Sequence, residues 1–147
     1  MAAYSHLLVA VDLGTDTEAL LKRALELSQA FDARLSLAHA VEYLPADPAG
    51  DAMLAPAEGL EPELIKGAEK QLAEFAARAG AGDASRHIVV GSIPAELARL
   101  AEELGADLLV TGAHEHRGIF FFGGGTERAF LKRVACDILV IRLKEEN

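Results

Sequence analysis

The sequence predicts an α/β protein built on one doubly wound, five-stranded parallel sheet. Two observations carry that reading. Five short runs, HLLVAVD, ARLSLAHAV, SRHIVVG, ADLLVTG and CDILVIRL, read as strands, and the first has the near-continuous apolar character of a strand buried on both faces. Four segments of helical period separate them, and strict alternation implies parallel strands joined by right-handed crossovers. At 147 residues the chain reads as one domain, residues 1–147, long enough to bury a real core.

The first strand is expected from His6 to Asp12. In GTDTEALLKRALELSQAF, Thr15 and Glu18 have the spacing of a capping box, and Leu20, Leu21, Ala24, Leu27 and Phe31 share one helical face. The second strand spans Ala33 to Val41. About twenty residues rich in Ala, Pro and Gly follow, with four prolines before Glu63, so residues 42–62 are expected to be a flexible loop. A loop of that length in a compact domain is a surface excursion or a functional lid. A helix from Glu63 to about Ala79 should bury Leu64, Ala68, Leu72, Phe75 and Ala76 before Gly80 and Gly82 end it. SRHIVVG is the third strand. Ser92 can cap the next helix, Pro94 suits its first turn, and Gly105 is its natural stop. The fourth strand ends at Gly112. TERAFLKRVA is helical, and Cys136 to Leu143 forms the fifth strand.

Composition excludes several classes. Fourteen basic and 23 acidic residues leave a net charge of −9, which opposes binding to nucleic acid or an anionic membrane. With no tryptophan and two tyrosines there is little to stack on bases. No apolar run approaches the roughly 20 residues of a membrane helix, and the start, MAAYSHLLVAVD, reads as a strand rather than a signal peptide. One cysteine, Cys136, allows no internal disulfide and suits a reducing compartment, so a cytoplasmic protein is expected.

Sheets of this kind place strand 1 beside strand 4 or beside strand 3 at a switch point, with ligands beyond the carboxyl ends there. If strands 1 and 4 are neighbours, Asp12 and Gly112 face each other, and GAHEHRGIFFFGGGTER, residues 112–128, forms the rim. Gly123, Gly124 and Gly125 ahead of Thr126 open a helix with free backbone N–H groups, as a phosphate site requires. Asp12 could accept from a base or a ribose hydroxyl. The plainer alternative is that Thr126 and Asp12 cap helices.

VAVDLGTDTEALLKRALELS, SLAHAV, VGSIPAELARLAEELGADLLVTGAH and GGTERAFLKRVACDILVIRL together resemble the universal stress protein family over nearly the whole chain. The resemblance implies a Rossmann-like fold of the adenine-nucleotide alpha-hydrolase type, strand order 3-2-1-4-5, and a small homodimer. It also implies a nucleotide site in one branch, where ATP is bound through Gly-x2-Gly-x9-Gly-Ser/Thr. On this chain the first glycine of that motif is Gly112 and the last pair is Gly125-Thr126, but the middle glycine is Glu115. Gly118 matches a further glycine of the loop, Asp12 the adenine-side aspartate, and Ala40 or Val41 the second-strand contact to adenine.

The Glu115 carboxylate, about 4 Å from a phosphate charge, would cost up to about 4 kcal/mol at an effective dielectric of about 20. That is almost three decades of affinity. Arg117 or a magnesium ion would offset part of it. A second branch, around universal stress protein A, has a degraded glycine motif and is not expected to bind ATP. The expectation is therefore a non-enzymatic stress-response protein without a required cofactor; the alternative is an ATP-dependent or AMP-dependent switch, with magnesium.

Other constellations are weaker. His114 and His116 could begin a metal site, but His6, His39 and His87 fall on other strands and no metal site is expected. No G-x-S-x-G elbow exists, and Cys136 reads as a small core residue. A flavodoxin-like carrier would want aromatics for its flavin, and a receiver domain an aspartate after strand 3, where VVGS has none. The apolar run Cys136 to Leu143, expected at a sheet edge, should pair with a second copy of itself.

Overall fold

The computed structural model describes residues 3–42, 60–114, 118–119 and 131–143 of the chain. The elements are β1 (His6–Ala10), α1 (Thr17–Phe31), β2 (Arg34–Glu42), α2 (Leu60–Ala79), β3 (Ser85–Gly91), α3 (Ile93–Leu104), β4 (Leu108–His114), β5 (Gly118–Ile119) and β6 (Asp137–Leu143). Five of the strands are parallel and run β3-β2-β1-β4-β6, which is the order 3-2-1-4-5 expected of the doubly wound sheet. The sixth, β5, is two residues long and antiparallel to β4.

β1 is central and buried along its whole length. Its alternating side chains feed two cores, because successive residues of a strand point to opposite faces. Leu7, Val9 and Val11 pack under α1 and α2 with Leu20, Leu21, Ala24, Leu37 and Leu72. Leu8 and Ala10 pack under α3 with Ala38, Leu97, Leu100, Ala101 and Leu109. This is why the strand reads as a continuous apolar run rather than an alternating one.

Several boundaries differ from the sequence expectation. α1 starts at Thr17 with Asp16 as its N-cap, so Thr15 and Glu18 form no capping box. α2 starts at Leu60 rather than Glu63. Pro62 is its third residue, where the missing N–H would have no partner within the helix anyway, so proline sits in the first turn of this helix instead of delaying it. The expected loop at 42–62 therefore shortens at both ends, and its remainder, residues 43–59, lies outside the described residues.

Leu64 is 55% exposed, although its helical stripe partners Ala68, Leu72 and Ala76 are buried. Twenty residues of helix span about 30 Å and the seven of β3 about 23 Å, so the helix outruns the strand it covers. Pro94 and Gly105 stand at the start and stop of α3 as expected, with Ser92 at the N-cap position, although its hydroxyl makes no capping bond. β4 continues past Gly112 to His114, and β6 begins at Asp137, one residue after Cys136. Of the segment expected to be helical after Thr126, residues 131–133 are described and are helical.

The amino end of β1 is tied to β4 by Asp107. Its carboxylate accepts from the Ser5 and His6 backbone N–H groups at 2.9 and 3.0 Å and from the Ser5 hydroxyl at 3.0 Å. Its own N–H donates to the His6 carbonyl at 3.0 Å.

Candidate functional site at the carboxyl ends of strands β1 and β4

β1 pairs with β4 only through Leu7–Val9 and Leu108–Val110. β6 stays beside β4 along all seven of its residues, to His114. Ala113 and His114 also pair with β5, so β5 must occupy the other side of β4, the side β1 has left. Beyond the end of β1 the switch-point crevice expected of a doubly wound sheet falls between β2 and β4, and β5, with Gly118 opposite His114, lies along its β4 side. This is the switch point of the sheet, where order reverses and ligands of doubly wound folds bind.

The turn leaving β1 is held from two sides. The Val11 N–H donates to the Ala38 carbonyl at 2.9 Å, and His39 Nδ1–H donates to the Val11 carbonyl at 2.8 Å. A carbonyl can only accept, so that contact fixes the His39 tautomer. Asp12 Oδ1 then accepts from the Gly14 N–H at 2.8 Å. A Cβ on Gly14 would lie 3.1 Å from that same oxygen, so the tight turn favours glycine there. Between them Leu13 has φ +64°, a left-handed conformation that strains a leucine by roughly 1–2 kcal/mol. The Gly14 N–H thus holds the half-buried carboxylate of Asp12, while His39 and Ala38 hold the backbone of Val11 just before it.

Of the residues singled out in sequence, the structure gathers Asp12, Ala40, Val41, Gly112 and Gly118 at this end of the sheet. Ala40 is buried, Val41 half-buried, and Gly112 is buried within β4. Glu115, Gly125 and Thr126 lie outside the described residues, as do His116, Arg117 and Phe120 to Phe122. Two buried hydroxyls, Thr17 Oγ1 in the first turn of α1 and Thr111 Oγ1 next to Gly112, have no hydrogen-bond partner among the described residues. Such a group costs about 1–3 kcal/mol when left unmet.

Sequence reading missed three contributors. Nothing in the sequence separates His39 from the other histidines, which fall on different strands. Thr17 and Thr111 carry no motif and show themselves only through burial. Among the described residues no three metal-ligating side chains converge. No helix among them is long and apolar enough to cross a membrane. Cys136 packs against the α3-side core, and burial pushes its thiol pKa up, away from the reactive thiolate.

Two clefts, of about 520 and 710 Å³, open at the opposite, amino end of the sheet, away from this crevice. They are lined by residues such as Tyr4, Asp107 and Asp137 in the first, and His6, Arg34, Ser85 and His87 in the second.

Comparisons with known proteins agree with this architecture. A universal stress protein A homolog of Coxiella burnetii is 30% identical over 142 residues, covering 97% of this chain and 99% of the relative. A second homolog from the same organism is 32% identical over 145 residues, 98% of this chain and 99% of that protein. Among solved structures, the UspA universal stress protein of Lactobacillus plantarum superposes with TM-score 0.68 at 26% identity, covering 97% of this chain and all of its own. A universal stress protein solved in complex with cAMP superposes with TM-score 0.61 at 25% identity, covering 96% of this chain and 98% of that one. Residues 3–142 match the model of the universal stress protein family, and the chain belongs to that family.

Proposed function

We propose that this chain is a non-enzymatic stress-response protein of the cytoplasm that works as a homodimer. Its crevice keeps the base-and-ribose end of an adenine-nucleotide site while opposing a triphosphate. The observation that carries this reading is the fixed Asp12 turn beside Ala40 and Val41. A carboxylate held by Gly14 and a carbonyl held by His39 form a rigid acceptor wall, which suits ribose hydroxyls or a base edge. The half-buried Val41 offers an apolar surface beside it for a purine face. The structural relative in complex with cAMP supports an adenine nucleotide as the ligand class.

Glu115 in the middle position of the glycine motif then selects by charge. Against a triphosphate its carboxylate opposes up to about 4 kcal/mol. A single phosphodiester or monophosphate carries less charge and need not reach that position. ATP, with magnesium, remains the ligand of the alternative reading, in which binding orders the loop and switches the dimer.

Calorimetric titration of the purified protein with cAMP, AMP and ATP tests the proposal. The expected result is that cAMP or AMP binds more tightly than ATP, and that Glu115→Gly strengthens ATP by one to about three decades while changing cAMP little. Asp12→Ala should weaken all three. Equal affinity for ATP in the parent and Glu115→Gly proteins would remove Glu115 from the account. Binding of none of the three would remove the nucleotide.

A further inference from the structure

At the amino end of the sheet, far from the crevice, four side chains form one continuous polar row across three strands. His6 on β1 is buried at 5% exposure and Ser36 on β2 at 2%. Ser85 lies directly opposite Ser36 in the β2–β3 register, and His87 follows it two residues on. All four sit on the α3 side of the sheet, with the neighbouring alternate residues Leu8, Ala38 and Val89 packed into the α3-side core.

The contacts run His6 Nδ1 to the Leu104 carbonyl at 3.2 Å, His6 Nε2 to Ser36 Oγ at 2.7 Å, Ser36 Oγ to Ser85 Oγ at 2.7 Å, and Ser85 Oγ to His87 Nε2 at 3.2 Å. The row begins at the carboxyl end of α3 and finishes at a half-exposed imidazole in the cleft of about 710 Å³.

One carbonyl sets the direction of the whole row. Leu104 O can only accept, so His6 carries its proton on Nδ1 and a neutral His6 presents Nε2 as an acceptor. Ser36 must then donate to His6, Ser85 to Ser36, and His87 Nε2–H to Ser85. In the buried half that arrangement satisfies both donors, His6 Nδ1–H on the Leu104 carbonyl and the Ser36 hydroxyl on His6 Nε2. A hydrogen-bonded chain polarised in one direction strengthens each member.

We propose that His6, Ser36, Ser85 and His87 form a proton relay that lets the buried centre of the sheet read protonation at its solvent edge. With the cation on His87 the polarity is unchanged and every bond is strengthened toward His6. Moving the charge inward is balanced atom by atom. His87 passes its Nε2 proton to Ser85, Ser85 passes its hydroxyl proton to Ser36, and Ser36 passes its own to His6 Nε2. The end state has an imidazolium at His6, two intact hydroxyls and a neutral His87 carrying Nδ1–H.

The environment decides where the charge rests. The charged and titratable groups around His6 are Arg34 on β2, His87 on β3, Asp107 in the α3–β4 turn, and Asp83, which lines the cleft from the α2–β3 turn. Burial pushes the His6 pKa below its ordinary value, and Arg34 and His87 act the same way; the Leu104 carbonyl and Asp107 act against them. Water at the cleft solvates a charge on His87 that the core would not. A charge at the buried His6 end of the row is therefore disfavoured.

The stability consequence has a definite sign. The unfolded chain takes up a proton near the ordinary histidine value of about 6.5, and the native His6 resists it. The stability of the neutral row is complete above that pH and is lost as pH falls below it toward the native value.

The test is the ring nitrogen spectrum of ¹⁵N-histidine-labelled full chain, followed from pH 8 to pH 5. Five histidines are present, so assignment by single substitution is practical. His6 is expected as the Nδ1–H tautomer, the minority form of free histidine. Its Nε2 shift should bend at the same midpoint as the His87 titration, because the charge at His87 tightens the chain. Ser85→Ala should abolish that inflection at His6 while His87 still titrates. Should Ser85→Ala fail to fold, His87→Gln removes the titrating end and should also flatten the His6 response. An Nε2–H tautomer at His6, a wild-type His6 shift that ignores the His87 midpoint, or an inflection that survives either variant would overturn the relay.

Discussion

His39 shows how one side chain can matter through backbone alone. Its bond to the Val11 carbonyl fixes the end of β1 one residue before Asp12. Replacing it by leucine leaves that half-buried carbonyl without its donor and lets the Asp12 turn rotate. We predict that His39→Leu weakens adenine-nucleotide binding by about tenfold, equivalent to about 1.4 kcal/mol, and that His39→Gln recovers much of it. Titration of AMP into both variants checks this; equal affinity in all three proteins would refute it. The strained Leu13, at φ +64°, sits in the same turn, and strain held at a turn that positions a carboxylate is consistent with a site rather than a connector. Glu115 and Leu13 differ in legibility for the same reason. A wrong residue in a motif is visible as a letter, whereas a strained one is visible only as a dihedral angle.

At the scale of elements, β1 was legible because burial on both faces leaves an unbroken apolar run, and the other strands were legible as short apolar-rich runs between helical segments. The helix starts were not, because a start depends on which N–H groups are already unpaired. Thr15 and Glu18 have the right spacing, but α1 begins after Asp16; Pro62 looks like a breaker, but sits in the first turn of α2. Two glycines separate conformation from packing. Gly67 lies inside α2 with open space around a would-be Cβ, and Gly105 ends α3 at φ +70° with open space too. Gly67→Ala should therefore stabilise by about 0.5–1 kcal/mol through lower unfolded-state entropy. Gly105→Ala should destabilise by about 1–2 kcal/mol through left-handed strain. Denaturant midpoints of the two variants should move in opposite directions, and movement in the same direction would refute the assignment of these two positions.

At the scale of the whole molecule, β6 is paired only with β4 among the described residues, and Val140 at its middle is 39% exposed. An apolar edge strand without a partner is an aggregation hazard, and pairing with the same strand of a second copy about a two-fold axis covers it. We predict that the protein sediments as a homodimer through Asp137–Leu143, and that Val140→Lys shifts it to monomer at micromolar concentration without unfolding it. A monomeric parent protein, or a dimer indifferent to this lysine, would argue against that edge. The relay at the amino end and the crevice at the carboxyl end share β1, His6 at one end and the Asp12 turn at the other, which places the two polar devices of the fold on its most buried strand.

The sequence by itself determined the sheet and the family, and it named Asp12, Ala40, Val41, Gly112 and Gly118 as candidates at one end of that sheet. Apolar periodicity and the spacing from Gly112 to Thr126 are properties of neighbours along the chain, and they survive without coordinates. Tertiary structure alone decided what those residues face. Parallel register set Ser36 opposite Ser85 and carried His6 and His87, 81 positions apart, into one hydrogen-bonded row. It also set His39 under the Val11 carbonyl and left the Thr17 and Thr111 hydroxyls buried without a hydrogen-bond partner among the described residues. Hydrogen bonds are made between strands rather than along them, so the sequence names the participants and only the register of the sheet introduces them to one another.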